Sequence, residues 1–208
     1  MRYKIYYQES GSSQFSDQAH HINAKSANNE KNIKPVNTDK LLIKLREHKM
    51  MLDKELGKDT WAFTGSCAVI VYGLSENVDI TEIPEPNDIN IIYQTDLSNV
   101  NFDKVGDYKP SKQSNHKSII FTNPFTNEDL DIIAVKKLYK NTAMGLPLAK
   151  VQIMNNIYKD LENGQVIGND LIKVFVLDKV LEKNPTIDGN LPPVPKNEYN
   201  LPVIPLYT

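Results

Sequence analysis

The chain carries a single cysteine, Cys67, among 208 residues. An internal disulfide and a cysteine-based zinc cluster are thereby excluded, and a reducing, cytoplasmic compartment is expected. Long apolar runs are lacking as well. Met1 to Gln8 is short, charged and tyrosine-rich, with no apolar centre of signal-peptide length. No later stretch approaches the ~18 apolar residues of a membrane span, so a membrane is not expected as a partner. Only a signal read by a specialised secretion apparatus would escape that reasoning. An excess of one charge sign is also missing: 24 Lys and Arg stand against 26 Asp and Glu, for a formal net charge of −2. Without a global basic field, a nucleic acid would have to be held by a local patch, which disfavours it as a partner. The histidines His20, His21, His48 and His116 have no spaced partners, and a zinc site is not expected from them. There is no internal repeat.

What is present divides the chain in three. With 40% apolar and 24% charged residues the chain can bury one sizeable core. Residues 1–37 read as a mobile polar arm, rich in Ser, Asn, Gln and Lys from Ser10 onward, with "RYKIYY" before it a candidate short strand. Residues 185–208 read as a proline-rich tail, in which Pro185, Pro192, Pro193, Pro195, Pro202 and Pro205 favour extended conformations along the surface or free of it. Residues 38–184 are left as the folded domain.

Within that domain the punctuation predicts the elements. Asn37 or Thr38 caps a helix in which Leu41, Leu45, Leu52 and Leu56 recur at helical spacing, and Gly57 is placed to end it. "WAFTG" reads as a short strand stopped by Gly65, and "SCAVIVYG" as an apolar helix. Strand, turn, helix is the order that aims backbone N–H groups at an anion. After Pro84 and Pro86, "NDINIIY" alternates as a strand that puts Asp88, Asn90 and Ile92 on one face. "KSIIFTN" and "EDLDIIAV" read as a hairpin joined by "NPFTN", with Asp129 and Asp131 sharing a face. Two helices follow, "PLAKVQIMNNIYKDLENG" closed by Gly164 and "NDLIKVFVLDKVLEKNP" capped by Asn169. The pattern implies an α/β (α+β) domain, a mixed sheet flanked by helices. Trp61, Phe63 and Cys67 are expected in its core.

Gly65-Ser66, Asp88 in "NDINI", Asp131 in "LDIIAV", a later helix carrying Lys150 and another opening on Asn169-Asp170 together resemble the nucleotidyltransferase superfamily that includes DNA polymerase beta. The AbiEii-like and MNT-like minimal nucleotidyltransferases are most similar. The resemblance spans roughly Asp39 to Lys183. It implies that Gly65, Ser66 and Lys150 bind the phosphates of a nucleoside triphosphate, and that Asp88 and Asp131 are catalytic carboxylates holding Mg²⁺ together with residue 90. Residue 90 is the departure: the family carries a carboxylate where this chain has Asn90. An amide oxygen can coordinate Mg²⁺ but lacks the formal charge, unless Asp129, Glu128 or Glu85 supplies a substitute. The connection "SENVDITEIPEP" is longer than the family's compact form and reads as an insertion or a lid. Pro86-Asn87 precedes the acidic strand where AbiEii-like members often carry Arg or Ser, and Asn169-Asp170 is also ordinary helix-capping chemistry. Two functions stay open: transfer of a nucleotide to a hydroxyl of a protein, a small molecule or a nucleic acid, or binding of a nucleotide or a protein partner without turnover.

Overall fold

In the computed structural model, residues 35–95, 103–111, 119–160, 165–166 and 170–189 are described. The arm before residue 35, including "RYKIYY", His20 and His21, lies outside them, as do His116, Gly164, Asn169 and the tail beyond residue 189. The first helix, α1 (Thr38–Glu55), begins where the side chain of Asn37 accepts the backbone N–H of Lys40 at 3.0 Å. That bond satisfies one of the amides that a helix start leaves unpaired. Leu41, Leu42, Leu45 and Leu52 form its buried stripe, and Gly57, at φ +96°, turns the chain out of it.

A seven-stranded sheet follows. Its strands are β1 (Trp61–Thr64), β2 (Asp88–Gln94), β3 (Lys109–Pro110), β4 (Ile119–Thr122), β5 (Asp129–Val135), β6 (Lys140–Ala143) and β7 (Leu146–Ala149). Their order is β3-β4-β5-β2-β1-β7-β6. The pairs β2/β5 and β1/β7 are parallel and the other neighbours antiparallel, so the sheet is mixed. Helices α2 (Gly65–Ser75), α3 (Val151–Tyr158) and α4 (Asp170–Lys183) complete the α/β domain, with a small ribbon of β8 (Lys159–Asp160) and β9 (Gln165–Val166). The expected hairpin is β4–β5. At its turn Asn123 Oδ1 accepts the amides of Phe125 and Thr126 at 2.9 and 3.3 Å, and Asn127 takes φ +57°.

One face of the sheet holds Trp61, Phe63, Ile89, Ile91, Leu130, Ile132 and Leu148, all buried. Helix α1 is tied to this side through Asp53, which accepts the indole N–H of Trp61 at 3.2 Å. Trp61 and Phe63 meet edge to face at 4.9 Å between ring centroids. Cys67 is buried with them, and burial pushes its thiol up to about 12, so it is an inert core group.

Two expectations are corrected. "PLAK" does not open a helix: Leu146–Ala149 is strand β7, and the helix starts at Val151 and ends at Tyr158, before Gly164. Proline at a helix start and proline in a short strand look alike in sequence, and the parallel pairing of β7 with β1 is a distant contact. The beginning of the tail is also part of the fold, because Asp188 is buried. Its carboxylate accepts the amides of Val151 and Gln152 at 2.9 and 2.8 Å and the Asn141 amide N–H at 2.8 Å. It therefore caps the N-terminus of α3 from a later segment of the chain. The connection between α2 and β2 is likewise packed, with Ile83 fully buried and Asp79 accepting from the amide and hydroxyl of Thr81.

Candidate functional site

Strand alternation and register place the polar residues. Asp88 lies opposite Asp129 and Asn90 opposite Asp131 on the parallel strands β2 and β5, so the four side chains occupy the corners of one rectangle on one sheet face. All four are half-buried. The next strands extend the rows: Thr64 pairs with Asn90, Ile120 with Asp131 and Thr122 with Asp129. The structure thus brings Asp88, Asn90 and Asp131 onto one face.

Glycine at position 65 is what lets α2 begin beside them. Gly65 has φ +67°, and a Cβ there would lie 2.9 Å from both Cβ and Nδ2 of Asn90. A side chain would be strained by the backbone and would collide with the strand. Thr64 precedes the helix without a side-chain cap, and the first turn carries no acidic residue. The N-terminal amides, with Ser66 in that first turn, therefore leave the positive end of α2 available to an anion next to Asn90.

Electrostatically the rectangle is under tension. Asp131 is held protonated to higher pH than usual, with its carboxyl raised to about 6 by burial and then by the charges of Asp88 and Asp129. Its Oδ1 is buried and makes no hydrogen bond. Asp129 is relieved on the other side, where the Thr122 hydroxyl donates to Asp129 Oδ1 at 2.7 Å. Beyond it a groove of about 530 Å³ is lined by Lys109, Ser111, Ile120, Thr122, Asn127 and Asp129 among others.

The remaining candidates stand elsewhere. Lys150 follows β7 at the sheet end where Gly65 follows β1, since those strands run parallel. It is not in a helix, and its ammonium donates to the Asp188 carbonyl. Glu128 turns to α1, where it pairs with Lys44. Nearby, His48 Nδ1 donates to the Lys44 carbonyl at 2.8 Å and Nε2 meets the Tyr108 hydroxyl at 2.7 Å, a structural arrangement. Glu85 is exposed. Thr122 was missed by motif reasoning, although the hairpin register that sets it across from Asp129 was accessible from the turn.

The donor chemistry suits a hard cation: the site offers carboxylate and amide oxygens, one of them buried and unpartnered. In the present arrangement, among the described residues, no three His, Cys, Asp or Glu side chains are grouped closely enough to hold a metal ion. Asn90 stands at one corner, and Asp129 is drawn towards Thr122.

No family model matches the chain, and no curated protein matches it. Among solved structures, the crystal structure of the Megavirus polyadenylate synthase is similar over 88% of this chain and 40% of that one, at 13% identity and a TM-score of 0.45. The chain spans less than half the length of that protein, and the likeness assigns no residue a role. Among the described residues no helix is long and apolar enough to cross a membrane.

Proposed function

We propose that this domain binds a nucleoside triphosphate with Mg²⁺ as a nucleotidyltransferase-like module. The observation that carries the reading is the meeting of two features on one sheet face. The Asn90–Asp131 register pair, with a buried unpartnered carboxylate oxygen, lies directly beside the uncapped start of α2 at Gly65. Asp88, Asn90 and Asp131 would hold the cation, which would supply positive charge to offset that of the phosphates and of a developing alkoxide. The amides after Gly65 and the Ser66 hydroxyl would receive the phosphates. Lys150 joins them only by leaving the Asp188 carbonyl. The acceptor in this reading is a hydroxyl of a protein, a small molecule or a nucleic acid.

A second reading is favoured by Asn90 itself. An amide in place of a carboxylate removes one anionic ligand, which preserves coordination better than it preserves catalysis. The domain would then bind nucleotide, or a protein partner, without turnover. Calorimetric titration with each of the four ribonucleoside triphosphates, with and without Mg²⁺, tests what the two share. Mg²⁺-dependent binding is expected for at least one nucleotide, and its absence for all four would reject the nucleotide readings.

A further inference from the structure

The sheet ends at β6, which among the described residues has a strand, β7, on one side only. The turn between the two is Met144-Gly145, with both residues left-handed at φ +51° and +78°. Such a turn makes its flanking residues, Ala143 and Leu146, a hydrogen-bonded pair, and bonded pairs then alternate along the ladder. The amide of Lys150 accordingly donates to the Tyr139 carbonyl at 3.1 Å, and Pro147, which has no N–H, falls opposite Thr142, where none is needed. The backbone N–H and C=O groups of Lys140 and Thr142 therefore point away from β7, to the open edge. At the other end of the sheet, β3 is only Lys109–Pro110, and its proline blunts that edge. β6, "KNTA", carries no proline.

The chain leaves the described structure beside this edge. Asp188 accepts the side-chain N–H of Asn141 at 2.8 Å, so the last turn of the fold is fastened to β6 itself, and residues 190–208 follow. Within them residues 196–201, "KNEYNL", are the longest run without proline, and so the longest with an unbroken set of backbone donors. Alternation sets Lys196, Glu198 and Asn200 on one face and Asn197, Tyr199 and Leu201 on the other. β6 is divided in the same way: Asn141 donates to the Tyr72 hydroxyl of α2 at 3.1 Å, whereas Lys140 pairs with the exposed Asp59. We propose that residues 196–201 add to β6 as a further strand, with Tyr199 and Leu201 on the α2 side and Glu198 on the wet side with Lys140. Tethering favours this segment over a second copy or a foreign peptide. The residues between Gly189 and Lys196 reach roughly 20 Å when extended, enough to follow the edge, and they hold the run at an effective concentration on the order of mM. The tail then shields an edge that is otherwise a template for pairing with another chain.

Amide hydrogen exchange, read residue by residue by NMR, compares the full chain with a chain ending at Gly189, which keeps the Asp188 cap. The Lys140 and Thr142 amides should exchange about tenfold slower in the full chain, the protection given by a segment docked about nine-tenths of the time. A full-length variant carrying Glu198→Pro and Tyr199→Pro, which removes a donor of either alternation, should exchange like the shortened chain. Ile91 and Ile132, on strands paired on both sides, should keep their protection throughout and so establish that each protein is folded. Equal exchange of Lys140 and Thr142 in the full and shortened chains overturns the proposal. Protection that survives shortening and rises with protein concentration assigns the edge to a second copy. Protection lost on shortening but kept in the proline variant assigns it to another part of the tail, and either result overturns the role of residues 196–201.

Discussion

At Gly65 two independent demands fall on one residue, a left-handed backbone at φ +67° and the approach of the Asn90 side chain. Gly65→Ala should therefore destabilise the fold by roughly 1–3 kcal/mol, read as a lower denaturation midpoint, before any effect on ligand is considered. A midpoint equal to wild type would mean that the chain relaxes there. Asp131 makes the second residue-scale prediction. Its folded pKa, about 6, is raised from 3.8, so the stability linked to its proton is fully present below pH 3.8 and is lost as pH rises through about 6. Asp131→Asn removes that dependence: relative to wild type, the variant should gain stability between pH 4 and pH 7 in the absence of metal. Urea titrations at the two pH values measure the difference. Because a cation competes with the same proton, its affinity for wild type should rise over the same interval.

The elements that sequence periodicity exposes are those whose contacts are local or whose faces are simple. Asn37 and Gly57 punctuate α1, and alternation sets Asp88 with Asn90 on one face of β2 and Asp129 with Asp131 on one face of β5, while the register between the two strands is what puts all four on the same side of the sheet. The β6–β7 hairpin was hidden for a different reason. "LPLA" pairs along its length with Lys140–Ala143 and is joined to the centre of the sheet where Leu148 meets Phe63 across a parallel ladder far along the chain. The cap on α3 was hidden in the same way, since Asp188 reaches Val151 and Gln152 from 37 and 36 residues away. That long reach makes it a fold determinant. Asp188→Ala leaves the α3 amides and Asn141 without their acceptor and should cost about 3 kcal/mol. Ending the chain after Asn184 should cost at least as much, whereas removing residues 190–208 leaves the cap in place. Thermal unfolding of the three variants orders them.

At the scale of the whole molecule, α2 begins beside Asn90 on a sheet face that also carries Asp88, Asp129 and Asp131, so the face has both an anion-attracting corner and a cation-attracting one. A metal complex of a polyphosphate satisfies both at once, and neither bare ion does so alone. Asn90 sits on the line between them, paired with Thr64 on β1 and Asp131 on β5. Replacing it separates the two proposed functions by sign. In the absence of ligand, Asn90→Asp adds a like charge beside Asp131, costs about 1 kcal/mol and lowers the melting temperature by roughly 2–4 °C. With Mg²⁺ and a nucleoside triphosphate the added carboxylate becomes a ligand, so the ligand-induced rise in melting temperature should be larger in the variant than in wild type. Nucleotide transfer appearing in the variant alone would identify the natural protein as a binding module, and transfer in both would identify an enzyme. A variant that melts lower and gains no extra stabilisation from Mg²⁺ and nucleotide would remove the metal site from this face and move the function of the domain to another surface.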